Sequence, residues 1–271
     1  GLIGMMEEAS GGEVTGELKH GLAPPPAQMD LVMDGAADMT IIFHGYQPGR
    51  FTGTKLIEIP GYEGSAEAAS VAYWRVHEAH LAALNEHRGV KLVALTTHGP
   101  GQIHSNKEVN TLADLQGLKT RLGGGVSADV GKELGLVGIQ VPAPKVYETL
   151  ASGAADAVAM NIGERAGFKL NEVAKNVYEM PGGFYRGSFA VLMSQETFDS
   201  LPAELQKVFD VVAVEALALN DSLAREAETE LLGKLGEHMQ VNSLDAAGIA
   251  TFKAAVQPVY QDGIDAGHFS Q

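Results

Sequence analysis

Residues 111–161 read "TLADLQGLKTRLGGGVSADVGKELGLVGIQVPAPKVYETLASGAADAVAMN". Within this stretch helix and strand signals alternate at short intervals. Thr111 has the side chain to cap the turn "LADLQG", and "LKTRL" then reads as a strand. "SADVGKELG" is a short helix with an awkward internal Gly131, and "GIQVP" is another strand. "KVYETLASGAAD" is helical and closes at Gly153, after which "AVAMN" is apolar and strand-like. Strands alternating with helices of this length predict an α/β sheet.

The flanking regions extend the pattern. Upstream, "LIGMMEEA", "EVTGELKHG", "PAQMDLVMDGA" and "DMTIIF" read helix, strand, helix, strand. Met39–Phe43 is a continuous apolar run suited to a buried parallel strand, and "VKLVALTT" predicts a second buried strand after a helix over Ser65–His87. A short strand is expected around Ile103. Downstream, "GSFAVLMS" is a strand, and residues 202–236 are helical throughout, long for one globular helix. "LDAAGIATFKAAVQPVYQDGIDAG" closes the chain as an amphipathic helix that Pro258 bends or interrupts. "VMDGAADMTII" and "LASGAADAVAM" share a helix end, a glycine (Gly35, Gly153), Ala-Ala-Asp and a strand. This is either an efficient helix-to-strand turn or the mark of two similarly built lobes.

Composition narrows the function. The 271 residues carry 34 Asp plus Glu against 19 Lys plus Arg, a formal net charge of -15 that repels nucleic acid and anionic membranes. There is no cysteine, which removes disulfides, thiolate metal sites and cysteine nucleophiles. No run approaches the roughly 18 apolar residues needed to span a bilayer. "GLIGMMEEASGG" reads as helix and turn rather than a secretion signal, as expected of a chain from which a signal peptide has been removed.

The glycines after Arg121 invite a phosphate reading, and their spacing rejects it. "RLGGG" is followed by "VSADVG", without the Lys-Ser/Thr of a Walker loop, and three adjacent glycines do not make a dinucleotide fingerprint. They form a structural turn or a pocket wall at Gly123. His77/His80 and His98/His104 do not supply three metal ligands with recognisable spacing, and no GxSxG occurs. Arg121 remains. An arginine between apolar Leu118 and Leu122 either presents its planar fork to a carboxylate ligand or joins a surface or inter-strand salt bridge.

At this point the chain resembles the DctP-type extracytoplasmic solute-binding proteins of tripartite ATP-independent periplasmic (TRAP) transporters. "LVMDGAADMTIIFHGYQPGRF", "LIEIPGY", "VKLVALTTHGPGQIHSN", "TLADLQGLKTR", "VYETLASGAAD", "GFKLNEVAKNVYE" and "ETFDSLPAELQKVF" follow in the family's order through nearly all of it. The resemblance implies an α/β, two-lobed, type II-like periplasmic binding protein with a cleft and a long helix spanning both lobes. It implies lobe I over 1–97, lobe II over 98–185, a return to lobe I over 186–226, and C-terminal helices over 227–271 packing on lobe II. It further implies periplasmic capture of a small organic acid and delivery to the membrane subunits of a TRAP permease. No catalysis, cofactor, metal, nucleic acid or membrane insertion is expected.

In that family the arginine of "GLKxR", here Arg121, holds the substrate carboxylate. A second arginine common in members that bind sugar acids is replaced by Gly101. The asparagine that touches ligand falls on Met160 or on the adjacent Asn161. The chain starts at what resembles the family's first helix, without its usual first strand. One charged anchor beside Tyr46, Phe184 and Tyr185 fits a small monocarboxylate, such as an aromatic or branched 2-oxo or 2-hydroxy acid. His44, His98 and Gln102 are candidate donors to its hydroxyl or keto oxygen. The competing expectations are a carboxylate sensor or orphan binding protein of the same fold, and a small α/β enzyme acting on a 2-oxo acid with Glu164 as base.

Overall fold

The computed structural model describes residues 2–210, 212 and 239–267, and the following applies to those residues. They contain nine strands: β1 (Met39–Phe43), β2 (Val90–Thr97), β3 (Gly101–Ser105), β4 (Lys119–Leu122), β5 (Val137–Gln140), β6 (Ala157–Asn161), β7 (Asn176–Glu179), β8 (Ser188–Ser194) and β9 (Gln240–Ser243). Two sheets result, one ordered β1-β8-β2 and one ordered β5-β4-β6-β3-β7-β9. The protein is therefore α/β and two-lobed. The chain passes from the first sheet to the second between Thr97 and Gly101, and returns between Glu179 and Ser188.

The returning strand corrects one expectation. β8 runs antiparallel to both β1 and β2, so Met39–Phe43 is an antiparallel strand rather than a parallel one, and Ile41 on it is exposed. In the second sheet β4 is parallel to β5 and β6, whereas β3 is antiparallel to β6 and β7. A second correction concerns "EVTGELKHG", which forms no strand. Gly11, Gly12 and Gly21, at φ 63°, 88° and 72°, turn the chain on both sides of it, and most of its residues are exposed.

Local chemistry accounts for the remaining elements. Ser65 caps the helix Ala66–Val76 by accepting from Ala68 N, and the helix continues through a π-turn and a 3₁₀ turn to Leu84. Asn85, left-handed at φ 51°, ends it. Thr111 and Asp114 form a capping box on the turn Leu112–Leu115. Gly35 and Gly153 adopt left-handed φ of 68° and 74°, closing the helices before β1 and β6. Gly131 lets its helix sit on β4, because a Cβ there would lie 2.7 Å from Leu122 Cδ1. The C-terminal segment is two helices, Ala246–Ala255 and Gln257–Asp265, with Pro258 in the first turn of the second. Of the long helix expected over 202–236, residues 203–210 and 212 are helical, while 211 and 213–236 lie outside the described residues.

Each sheet has its own core. Ile42, Leu95, Ala190 and Leu192 pack with Met29, Phe51 and Tyr73 on one face of the first sheet, and Met6, Val93, Met193 and Phe209 pack on the other. In the second, Ile103, Leu122, Tyr178, Phe184 and Phe252 form one cluster, and Val146, Val158, Met160 and Leu170 another. Phe252 ties the C-terminal helices to this second core.

Candidate functional site

A cleft of about 420 Å³ lies between the sheets. It opens at the carboxyl ends of β1, β2, β4 and β6, the usual place for a ligand in an α/β protein. Phe43, Tyr46, Thr96, Thr97 and His98 border it from the first sheet's strands and the turns beyond them. Arg121, Gly123, Ala143, Pro144, Met160, Asn161 and Glu164 border it from the second, and Tyr185 and Phe189 from the returning segment.

Arg121 is 2% exposed at the end of β4. Its Nε donates to Val141 O at 2.8 Å and its Nη2 to the Tyr46 hydroxyl at 3.3 Å. Among the described residues Nη1 has no protein partner, and no carboxylate lies within salt-bridge distance of the guanidinium. The salt-bridge reading of Arg121 is thus not what these residues build. A buried guanidinium without a counter-ion is costly, and it is poised to accept one from outside the protein. Tyr46 steadies it, its hydroxyl also accepting from Ala143 N at 2.8 Å.

The glycines beside Arg121 make contact between lobes. Gly124 and Gly125 have φ of 99° and 58°, and a Cβ on Gly124 would stand 2.5 Å from the carbonyl oxygen of Gly45. A Cβ on Gly125 would stand 2.5 Å from Glu58 Oε2. Gly123 faces the Phe43 ring, 3.1 Å from where its Cβ would be. The triple glycine is therefore a seam where the chain packs closely against Gly45, Glu58 and Phe43 of the first lobe. Glu58, fully buried, accepts there from Val126 N at 3.0 Å and from Ser188 N and Oγ at 3.2 and 2.6 Å. Burial pushes its carboxyl up to about 7 despite those bonds. Ser188 Oγ continues to His44 Nδ1 at 3.0 Å, and His44 Nε2 to His87 Nε2 at 2.9 Å.

Aromatic rings form much of the wall. Phe43 meets Phe189 at 5.3 Å between centroids and Tyr46 edge-on at 5.0 Å. His98 stands edge-on to Tyr185 at 5.3 Å and tilted against Phe189 at 5.7 Å. Burial lowers the His98 pKa to about 4, with the Arg186 and Arg121 charges acting in the same direction. Below the cleft, His104 Nε2 bonds Met160 O at 2.8 Å while Arg165 Nη1 reaches His104 Nδ1 at 2.6 Å, anchoring the end of β6.

The structure sorts the expected site residues. Arg121, Tyr46, His98, Gly123, Met160, Asn161 and Tyr185 meet at the cleft, and so does Glu164, whose carboxyl burial raises. Met160 and Asn161 both border it, because β6 ends there. Four others do not. His44 faces the buried bonds to Ser188 and His87. Gln102 closes both ends of its amide on Met180, donating to its O at 3.0 Å and accepting from its N at 2.8 Å. Phe184 does not border the cleft and packs against Tyr178 and, edge-on at 5.3 Å, against Phe252. Gly101 is covered by the Tyr185 ring, whose Cε1 would lie 2.3 Å from a Cβ there. Sequence reasoning missed Phe43, Phe189 and Glu58. The two phenylalanines are paired across β1 and β8, a register that no local motif marks.

The family model described as "Bacterial extracellular solute-binding protein, family 7", DctP, matches residues 3–265. A TRAP periplasmic solute-binding protein of Bordetella bronchiseptica, crystallised with bound (R)- and (S)-mandelate, superposes with a TM-score of 0.90. It is 32% identical, and the match covers 98% of this chain and 85% of that one. A marine metagenome TRAP solute-binding protein specific for aromatic acid ligands, in complex with metahydroxyphenylacetate, is 28% identical with a TM-score of 0.89 and the same coverage. Among curated relatives, the outer membrane transporter protein TsaT of Comamonas testosteroni is 26% identical over 212 residues. That match takes in 78% of this chain, which spans 63% of the relative's length. The monocarboxylate 2-oxoacid-binding periplasmic protein of Nostoc is 37% identical over 135 residues, 46% of this chain and 36% of that protein.

Proposed function

The chain belongs to family 7 of the bacterial extracellular solute-binding proteins, and on that premise we propose that it captures a small aromatic monocarboxylate for a TRAP permease. The family is extracytoplasmic and binds solutes rather than transforming them. The observation that carries the reading is Arg121, a buried guanidinium with Nη1 unpartnered among the described residues, bordering an aromatic-lined cleft. The ligand's carboxylate pairs with Arg121, and its ring lies among Phe43, Phe189 and Tyr185. A charge-assisted hydrogen bond of this kind contributes roughly 1.5–3 kcal/mol.

Two features support a single carboxylate. The Tyr185 ring occupies the space over Gly101, so no second arginine stands there. Glu164 at the cleft repels a second anionic group. Known partners of similar proteins agree: mandelate for the Bordetella protein, metahydroxyphenylacetate for the metagenome protein. In this reading lobe I is 1–97 with 186–226, lobe II is 98–185, and 227–271 packs on lobe II. Closing the lobes buries the acid and presents a surface to the permease.

Thermal-shift screening followed by calorimetry tests the proposal. Aromatic monocarboxylates raise the melting temperature with the logarithm of one plus concentration over Kd, while sugar acids and dicarboxylates of similar size leave it unchanged. A response confined to those polar acids would overturn it.

A further inference from the structure

We propose that His98 makes this cleft select 2-hydroxy acids over 2-oxo acids, by accepting the hydroxyl hydrogen at its Nε2. The inference rests on the carboxylate-binding reading and names which member of that class the site takes.

His98 Nδ1 lies 2.5 Å from the carbonyl oxygen of Gly99. A carbonyl only accepts, so Nδ1 carries the hydrogen. A buried imidazole with a pKa lowered to about 4 holds one proton at neutral pH, which leaves Nε2 with a lone pair. Among the described residues Nε2 has no hydrogen-bond partner, and His98 borders the cleft.

The surroundings hold that arrangement. Turning the ring over would forfeit the Gly99 bond. Tyr185 and Phe189 pack against the imidazole, and Arg186 Nη1 donates to His98 O at 3.3 Å, fixing the backbone. A side chain at residue 187 would close the site: a Cβ on Gly187 would come within 2.6 Å of Nε2. With glycine at 187 the imidazole packs close to the chain there and no side chain covers Nε2 from that side.

Position follows from Arg121. Arg121, His98 and Tyr185 border the same cleft, and the imidazole stands edge-on to the Tyr185 ring at 5.3 Å. A carboxylate on Arg121 therefore brings its 2-substituent, rather than a distant ring substituent, toward Nε2. Arg121 and Tyr46 can donate, and the Asn161 amide can present either end. His98 is restricted to accepting. A 2-hydroxyl supplies the hydrogen it needs. A 2-keto oxygen brings only lone pairs, leaving two desolvated acceptors face to face.

Calorimetry with three matched acids reads this out: mandelate as the better-bound enantiomer, phenylacetate and phenylglyoxylate. Wild type is expected to bind mandelate about tenfold more tightly than phenylacetate, in line with one neutral hydrogen bond, and phenylglyoxylate more weakly still. His98→Phe keeps an aromatic ring and removes the acceptor, so mandelate falls to the level of phenylacetate while phenylacetate stays within about threefold of wild type. His98→Asn, which can retain the bond to Gly99, serves the same purpose if the phenylalanine does not fold. Equal binding of mandelate and phenylglyoxylate by wild type overturns the role of His98 but leaves acid capture standing. A mandelate preference that survives in His98→Phe assigns it elsewhere and also overturns it. Failure of all three acids to bind removes the underlying function as well.

Discussion

Glu58 accepts the backbone N–H of Val126 at 3.0 Å, a contact that joins the short helix Lys55–Glu58, between β1 and β2, to the start of the helix Val126–Glu133 beside the second sheet. The carboxyl has its pKa raised to about 7 by burial, so between about 4.5 and 7 the folded protein holds a proton there that the unfolded chain does not. Its contribution to stability therefore falls as pH rises through that window and is level above it. Replacing it by Gln removes the titration. The stability of Glu58→Gln relative to wild type should shift in the variant's favour between pH 5 and 8, on the order of 1–3 kcal/mol. Urea unfolding at several pH values measures it, and a difference that stays flat with pH would count against the assignment.

The histidines act in the opposite direction. His87, His98 and His104 are lowered by burial to about 4, 4 and 3, and His44 is lowered as well. Between these values and 6.5 the unfolded chain binds more protons, so stability rises with pH to about 6.5 and is lost as pH falls toward 4. His104→Asn should flatten part of that acid limb in unfolding curves recorded from pH 4 to 7. The same variant weakens the hold on Met160 O and lowers stability at pH 7 by roughly 1–3 kcal/mol.

Arg121→Lys keeps the charge and loses the fork that engages Val141 and Tyr46 together. Affinity for an aromatic monocarboxylate should drop by about 10- to 100-fold in calorimetry, while circular dichroism stays unchanged. Retention of wild-type affinity would remove Arg121 as the anchor.

Gly101→Ala places a methyl where the Tyr185 ring lies, 2.3 Å from Cε1. Overpacking of this kind costs about 1–3 kcal/mol, seen as a lower melting temperature. In a Tyr185→Ala background the same change should cost little. Equal cost in both backgrounds would show that the ring is not what the methyl meets.

Much of this was legible because it was local. Turn chemistry marked Gly35, Gly153 and Thr111, and apolar runs marked β1, β2 and β8. Arg121 was legible only through the surrounding motif, since burial without a counter-ion is a property of the assembled cleft. His44 and Gln102 look like ligand donors in sequence because their partners, Ser188 and Met180, are 144 and 78 residues away. Phe184 and Tyr185 differ because only Tyr185 borders the cleft, while Phe184 packs on Tyr178 and Phe252, the latter 68 residues away.

The seam at Gly45, Gly124 and Gly125 has a consequence for how such a protein changes its ligand. Peptide meets peptide between Gly45 and Gly124, and the Phe43 ring packs against Gly45 on the cleft side of the same joint. Phe43 therefore belongs to both the cleft wall and the seam, whereas His98 and Phe189 are not among the groups closest to these glycines. An engineer seeking a new acid has His98 and Phe189 to vary freely and Phe43 to keep.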